Sequence, residues 1–224
     1  MSKITTACLD MAGTTVADEG GVMAAFTDAV SEFGLFPGAP GYDEAMAVVQ
    51  ATMGQSKIEV FRRILGSEEQ AVRANRAFEL SYADAVQAGQ VTPLPGAPET
   101  ITALRAAGIR VCLATGFAPR TRDTLLDALG WWPLIDLALS PADAGRGRPW
   151  PDMPLTALIQ LGGGAVSELL VVGDTASDVE SGLRAGAGLV AGVLTGSASR
   201  EELEKSGAPH ILDSVSGLLP LLGI

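Results

Sequence analysis

The sequence predicts an α/β fold: a parallel sheet flanked by helices, with an all-helical insertion after the first strand. Three observations predict it. Short apolar runs rich in β-branched residues recur, each ending abruptly at Asp, Thr or Gly. Helical patterns alternate with those runs. One long stretch, from about Ala17 to Val91, has helical periodicity and no strand pattern.

The first run, Ile4 to Leu9, stops at Asp10 and reads as a buried strand. Ile109 to Ala114 stops at Thr115-Gly116, Leu169 to Val172 at Gly173-Asp174, and Leu189 to Leu194 at Thr195-Gly196. Helices are expected over Pro98 to Ala107, Thr121 to Leu129, Met153 to Leu161, Ser177 to Ala185 and Arg200 to Lys205. Gly162 to Gly164 reads as a helix stop and loop. Ligands of open parallel sheets bind beyond the carboxyl ends of the strands. Asp10, Thr115 and Asp174 therefore share one predicted edge.

In the insertion, a helix over Val22 to Phe33 ends in the breaker-rich segment Gly34 to Gly41. Helical stretches over Tyr42 to Thr52, Lys57 to Leu65 and Glu68 to Ala88 follow, the last with a Ser67/Gln70 capping-box pair. The chain returns through Thr92-Pro93-Leu94-Pro95-Gly96. The expected division is a core of residues 1–17 and 93–224 and a helical domain of residues 18–92. Met23, Phe26, Val30 and Phe33 form an apolar stripe at helical spacing, expected to pack within the insertion.

Fifteen Lys and Arg face 26 Asp and Glu among 224 residues, a net charge of -11. That balance argues against nucleic acid or an anionic membrane surface as partner. A single His, His210, excludes a multi-His metal site. Cys8 and Cys112 lie in apolar strand-like runs and make no disulfide framework. No apolar leader opens the sequence, and no stretch approaches the ~20 residues that span a bilayer. A cytoplasmic protein is expected.

Asp10 opens Asp10-Met11-Ala12-Gly13-Thr14-Thr15, a strand end followed by a tight turn. Its carboxylate is either a turn cap or a phosphoryl acceptor beside a nest of backbone N–H groups. Asp174 and Asp178 flank a turn entering a helix. They are either helix-capping groups or hard oxygen ligands for Mg²⁺. Thr115 offers a hydroxyl at a third strand end. Arg148, in Gly147-Arg148-Pro149-Trp150-Pro151, offers a planar fork for phosphate or for Asp10.

These four elements in this order resemble the haloacid dehalogenase superfamily of phosphoryl-transfer enzymes. The resemblance implies a Rossmann-like core with an inserted helical cap. It implies Asp10 as nucleophile, Thr115 as phosphate binder and Arg148 as the basic residue, usually Lys. Asp10, the Ala12 carbonyl, Asp174 and Asp178 would surround Mg²⁺. One departure is informative. The superfamily's general acid, two residues after the nucleophile, is here Ala12. A positioned acid contributes 10²–10⁴ in rate, roughly 3–5 kcal/mol. A leaving group that needs no oxygen protonation is therefore expected.

The Asp10–Thr15 and Gly147–Pro151 segments resemble those of phosphonoacetaldehyde hydrolase. Met53-Gly54-Gln55-Ser56-Lys57-Ile58-Glu59 is similar to the segment around that family's Schiff-base lysine. The resemblance also implies substrate contacts from Thr14, Met53, Gly54 and Gly116. Physically, a Ser56/Glu59 capping box makes Lys57 the first residue of its helix. The positive end of the macrodipole there disfavours the ammonium. Val60 and Phe117 stand where the family has His and Tyr, so the resemblance points to a sister group acting on a related 2-oxoalkylphosphonate. It also implies a homodimer through the cap. The alternative reading is a phosphatase of the same superfamily acting on a phosphate ester or acyl phosphate.

Overall fold

The first strand, β1 (Thr6–Asp10), is buried along its whole length, as its apolar run requires. The computed structural model describes residues 3–18 and 20–224. After β1 come β2 (Val16–Ala17) and four helices, α1 (Gly21–Ser31), α2 (Tyr42–Ala51), α3 (Lys57–Leu65) and α4 (Glu68–Gln87). The chain returns through β3 (Thr92–Pro93), α5 (Ala97–Ala106), β4 (Arg110–Ala114) and α6 (Pro119–Leu129). Then follow β5 (Leu137–Leu139), α7 (Pro141–Ala144), α8 (Asp152–Gln160), β6 (Leu169–Gly173) and α9 (Ala176–Ala185). The last elements are β7 (Leu189–Val193), α10 (Arg200–Lys205), β8 (His210–Leu212) and α11 (Leu218–Leu222).

The six-stranded sheet runs β5-β4-β1-β6-β7-β8, with all five pairings parallel. This is the expected α/β architecture. Successive connections leave β1 on opposite sides, to β4 and to β6, so the strand order reverses there. Asp10 of β1 aligns with Ala114 of β4, which places Asp10 beside Thr115. Cys8 and Cys112 are register partners on those strands, buried and unbridged. His210 starts the edge strand β8.

Strands β2 and β3 pair antiparallel, Val16 with Pro93 and Ala17 with Thr92. They join where the chain leaves the sheet for α1–α4 and where it returns. Four aromatic rings fill the space between the helices: Phe26, Phe61, Phe78 and Tyr82, all essentially inaccessible. Phe26 and Phe78 stand 4.8 Å apart. Phe117, from the loop after β4, completes the cluster 4.6 Å from Tyr82. One apolar cluster thus runs from the helices into the sheet. In the Met23–Phe33 stripe, Phe26 and Val30 are buried and Met23 and Phe33 half-buried against that cluster.

Expected helix limits differ from the observed ones by at most two residues. Strands β5 and β8, three residues each, carry too short a pattern to be read from the sequence, and β2 and β3 still less. At α4 the Ser67 hydroxyl accepts from the Gln70 amide at 3.5 Å, but the reciprocal bond of a capping box does not form. No helix among the described residues is long and apolar enough to cross a membrane.

Phe78 touches four of the rings, so its truncation leaves a large cavity. Phe78→Ala is expected to cost about 3–5 kcal/mol in urea unfolding. A loss below about 1 kcal/mol would mean the cluster does not hold the helices to the sheet.

Candidate active site

Asp10 ends β1 pointing into the gap left by the diverging connections. The turn after it is tight: the amides of Thr14, Thr15 and Val16 all donate to the Met11 carbonyl. The Gly13 amide donates to Val16. These N–H groups are thus bonded within the turn, and the expected phosphoryl nest of turn amides does not form from them. Gly13 has φ of 83°, and a Cβ there would stand 2.6 Å from Asp174 Oδ2. Only glycine fits a turn pressed against that carboxylate.

Arg148 is the centre of the constellation. One guanidinium nitrogen lies 2.8 Å from Asp10 Oδ1, and its Nε lies 2.6 Å from Asp178 Oδ1. It also donates to the Ala114 carbonyl at 3.0 Å and to the Gly54 carbonyl at 3.4 Å. Burial disfavours this charge, but Asp178 and Asp10 more than offset that and hold it firmly cationic. The other Asp178 oxygen accepts from the Thr175 amide and hydroxyl, in a true capping box. Both Asp178 oxygens are therefore engaged, one in the capping bonds and one with Arg148.

Asp174 accepts from the amide and hydroxyl of Ser197 and from the Thr14 hydroxyl at 3.3 Å. Ser197 lies just beyond β7 and was not singled out in the sequence. The strand-end rule that found Thr115 applies equally to Thr195-Gly196-Ser197. Burial pushes the Asp10 carboxyl well above the carboxylate range; Arg148 opposes this, and Asp178 and Asp174 reinforce it. Burial, reinforced by Asp178, raises Asp174 to about 6.

Lys57 is the first residue of α3, as expected, and only 6% exposed. The expected capping box is absent: Ser56 makes no side-chain cap bond, and Glu59 pairs with Arg62. The amine instead sits among rings, 5.2 Å from the centre of Phe117, 5.7 Å from Phe26 and 6.0 Å from Phe78. Burial lowers its pKa, against the pull of Asp10 and Asp18. Desolvation therefore ranks first in favouring the free amine. Val60, one turn further on, is buried in the same apolar cluster.

A cavity of about 280 Å³ gathers these groups. Asp10, Ala12, Met53, Gly54, Lys57, Thr115, Gly116, Arg148 and Asp174 all line it. Thr14 and Asp178 stand behind the wall, bonded to Asp174 and Arg148. Asp18 also lines the cavity, and sequence reasoning missed it because nothing in the pattern marks a loop carboxylate as half-buried. The helices close over the sheet edge tightly: a Cβ on Gly116 would stand 2.5 Å from the Gln55 carbonyl. On the far side, Glu79 of α4 accepts from the Ala118 amide and the Thr121 hydroxyl at the start of α6.

A model of the haloacid dehalogenase-like hydrolases matches residues 4–186. The chain belongs to that family. A probable phosphatase of Dickeya dadantii is 27% identical over 92% of this chain and 88% of its own length. A phosphonoacetaldehyde hydrolase of Syntrophobacter fumaroxidans is 30% identical over 80% of this chain and 68% of its own. The match to the Bordetella pertussis phosphonoacetaldehyde hydrolase, at 31% identity, spans only 55% of that protein. Among solved structures, a phosphonoacetaldehyde hydrolase-like protein from Oleispira antarctica superposes with a TM-score of 0.84. It is 26% identical, with 99% of this chain and 92% of that one covered. A hydrolase from Pseudomonas syringae gives the same TM-score and identity over 98% of both chains.

In this haloacid dehalogenase-like hydrolase, ligand atoms of Asp10, Asp174 and Asp178 lie within 4.8 Å of one another, all buried. One guanidinium neutralises part of that charge. Clustered buried carboxylates suit a hard divalent cation, and the donor set fits Mg²⁺. Asp10 and Asp174, which line the cavity, are the residues placed to hold it.

The raised Asp174 sets a sign. Between about pH 4 and pH 6 the folded chain keeps a proton that the unfolded chain has released. The Asp174 contribution to metal-free stability therefore falls as pH rises through that window. Mg²⁺ must displace the proton. The rise in melting temperature on adding Mg²⁺ is expected to be small at about pH 5 and larger at about pH 7.5. Equal rises at both would remove Asp174 from the metal set.

Proposed function

We propose that this hydrolase cleaves the C–P bond of phosphonoacetaldehyde or a related 2-oxoalkylphosphonate, with Mg²⁺, through a lysine Schiff base and an aspartyl-phosphate. The observation that carries the reading is a buried lysine amine sharing one cavity with a strand-end aspartate. Residues 18–92 act as the cap and residues 1–17 and 93–224 as the catalytic core.

Lys57, whose free amine burial favours, adds to the carbonyl carbon β to phosphorus and loses water to give an iminium. Asp10, whose ionised form the Arg148 guanidinium beside it favours, attacks phosphorus in line. The C–P electron pair flows into the iminium, leaving an enamine. Ala12 is compatible with this, because no alkoxide leaves and no oxygen needs a proton. Water then hydrolyses the aspartyl-phosphate and releases a proton, matching the one the enamine carbon takes up. Hydrolysis of the resulting iminium returns Lys57 and frees the carbonyl product. When bound, Mg²⁺ supplies positive charge to the phosphoryl oxygens. Thr115, Gly116, Thr14, Met53 and Gly54 shape the phosphonate site, and Thr115 offers its hydroxyl to the phosphoryl group.

A phosphatase acting on a phosphate ester or acyl phosphate is the second reading. The resemblance to the Dickeya dadantii probable phosphatase over nearly the whole chain favours it. It gives Lys57 no task. A homodimer through the cap fits the first reading, but the Met23–Phe33 stripe is taken up by the cap's own interior.

Borohydride reduction during turnover of phosphonoacetaldehyde is expected to leave a mass adduct on Lys57. Lys57→Arg should lose phosphonate turnover, and Asp10→Asn should lose all turnover. No adduct, with phosphate-ester hydrolysis unimpaired in Lys57→Arg, would favour the phosphatase reading.

A further inference from the structure

The cavity holds five charged side chains: Asp10, Asp18, Lys57, Arg148 and Asp174. In the reading above, Asp10 is the nucleophile, Asp174 holds the metal, Lys57 carries the substrate and Arg148 stays charged. That chemistry also needs a proton donor and acceptor at Lys57. Ala12 and Val60 supply none. Glu79 influences Lys57 but does not line the cavity, and its oxygens are held by Ala118 and Thr121.

We propose that Asp18 is a catalytic residue, the acid–base group for imine formation and hydrolysis at Lys57. The proposal rests on the Schiff-base reading and adds a residue to it. Asp18 lies in the loop between β2 and α1, half-buried. Its two oxygens accept from the Val22 amide at 3.1 and 3.2 Å. The N-cap residue of α1, Gly20, has no side chain to do this. The bond fixes the carboxylate on the cavity wall. It also supplies the plain alternative, that Asp18 only caps a helix.

Three features favour more than a cap. Asp18 and Lys57 line the same cavity and are close enough for each to shift the other's ionisation. Burial raises Asp18 to about 6, with the Val22 amide, Lys57 and Tyr82 opposing, so both protonation states are accessible near neutral pH. The Tyr82 hydroxyl, fully buried on α4, lacks a hydrogen-bond partner among the described residues, yet Asp18 is its chief charged neighbour. A small movement of either side chain would make it a donor to Asp18.

The proton balance closes. The Asp18 carboxylic acid protonates the carbinolamine hydroxyl, the C–O bond breaks and water leaves, giving the iminium and the Asp18 carboxylate. After C–P cleavage and protonation of the enamine carbon, water adds back to the iminium. The Asp18 carboxylate takes that water's proton and is again the acid.

The test measures the rate of borohydride-trapped adduct with phosphonoacetaldehyde, using the full chain with Mg²⁺. Asp18→Asn keeps an acceptor for the Val22 amide but cannot donate an acidic proton. It is expected to trap 10²–10⁴-fold more slowly at unchanged melting temperature. The wild-type rate should be bell-shaped in pH, and Asp18→Asn should keep only the rise set by the Lys57 amine. Tyr82→Phe, which keeps the ring packing, should move the Asp18 limb to higher pH. Wild-type trapping rate and profile in Asp18→Asn would overturn the proposal and leave the Schiff base standing. No adduct in the wild type would overturn both. If Asp18→Asn does not fold, the Tyr82→Phe profile decides, and an unmoved limb overturns the assignment.

Discussion

The candidate site is built around the buried charge of Arg148. Its fork reaches Asp10 on β1, Asp178 on α9, the Ala114 carbonyl on β4 and the Gly54 carbonyl of the cap loop. A lysine could not make these contacts at once, because a single ammonium lacks the planar spread of donors. Buried ion pairs are poor sources of net stability, since desolvation offsets most of the attraction. Here the return is geometric. The guanidinium opposes the burial and the two neighbouring acids that push the Asp10 carboxyl upward.

A net charge of -11 and an anionic substrate are therefore compatible. The acids at the site are not a repulsive surface. They are buried, partly neutralised by Arg148, and clustered so that a divalent cation would offset most of the remaining charge. The opposite logic governs Lys57. Three ring faces within about 6 Å would each attract an ammonium. Desolvation nevertheless ranks first and lowers its pKa. Desolvation thus favours the free, nucleophilic form of the amine.

The sheet and its functional edge were legible because a buried parallel strand has no alternation to hide, and its end must be polar. Asp10, Thr115 and Asp174 were found that way, and Lys57 was placed at its helix start. What failed was anything decided by competition for hydrogen bonds. The Ser56 and Glu59 spacing suggested a capping box, but Arg62 captured Glu59. The turn after Asp10 suggested a nest, but the Met11 carbonyl took three of its amides. Asp178 had two readings, and the structure shows the capping bond together with the Arg148 contact. Asp18 and Glu79 were invisible because their burial depends on helices folding back over the sheet edge.

That closure has a consequence for how the site can work. The Lys57 amide donates to the Gly116 carbonyl at 3.4 Å, so α3, which bears the amine, is tied by backbone to the loop after β4. Gly116 leaves no room for even a methyl group against Gln55. Phe117, next in the chain, joins the loop to the cap's aromatic core. The approach of Lys57 to Asp10 is thus fixed by the same contacts that seat the cap. In the proposed reaction a substrate bridging the two would sit behind these contacts, which would keep bulk water from the iminium and the acyl phosphate.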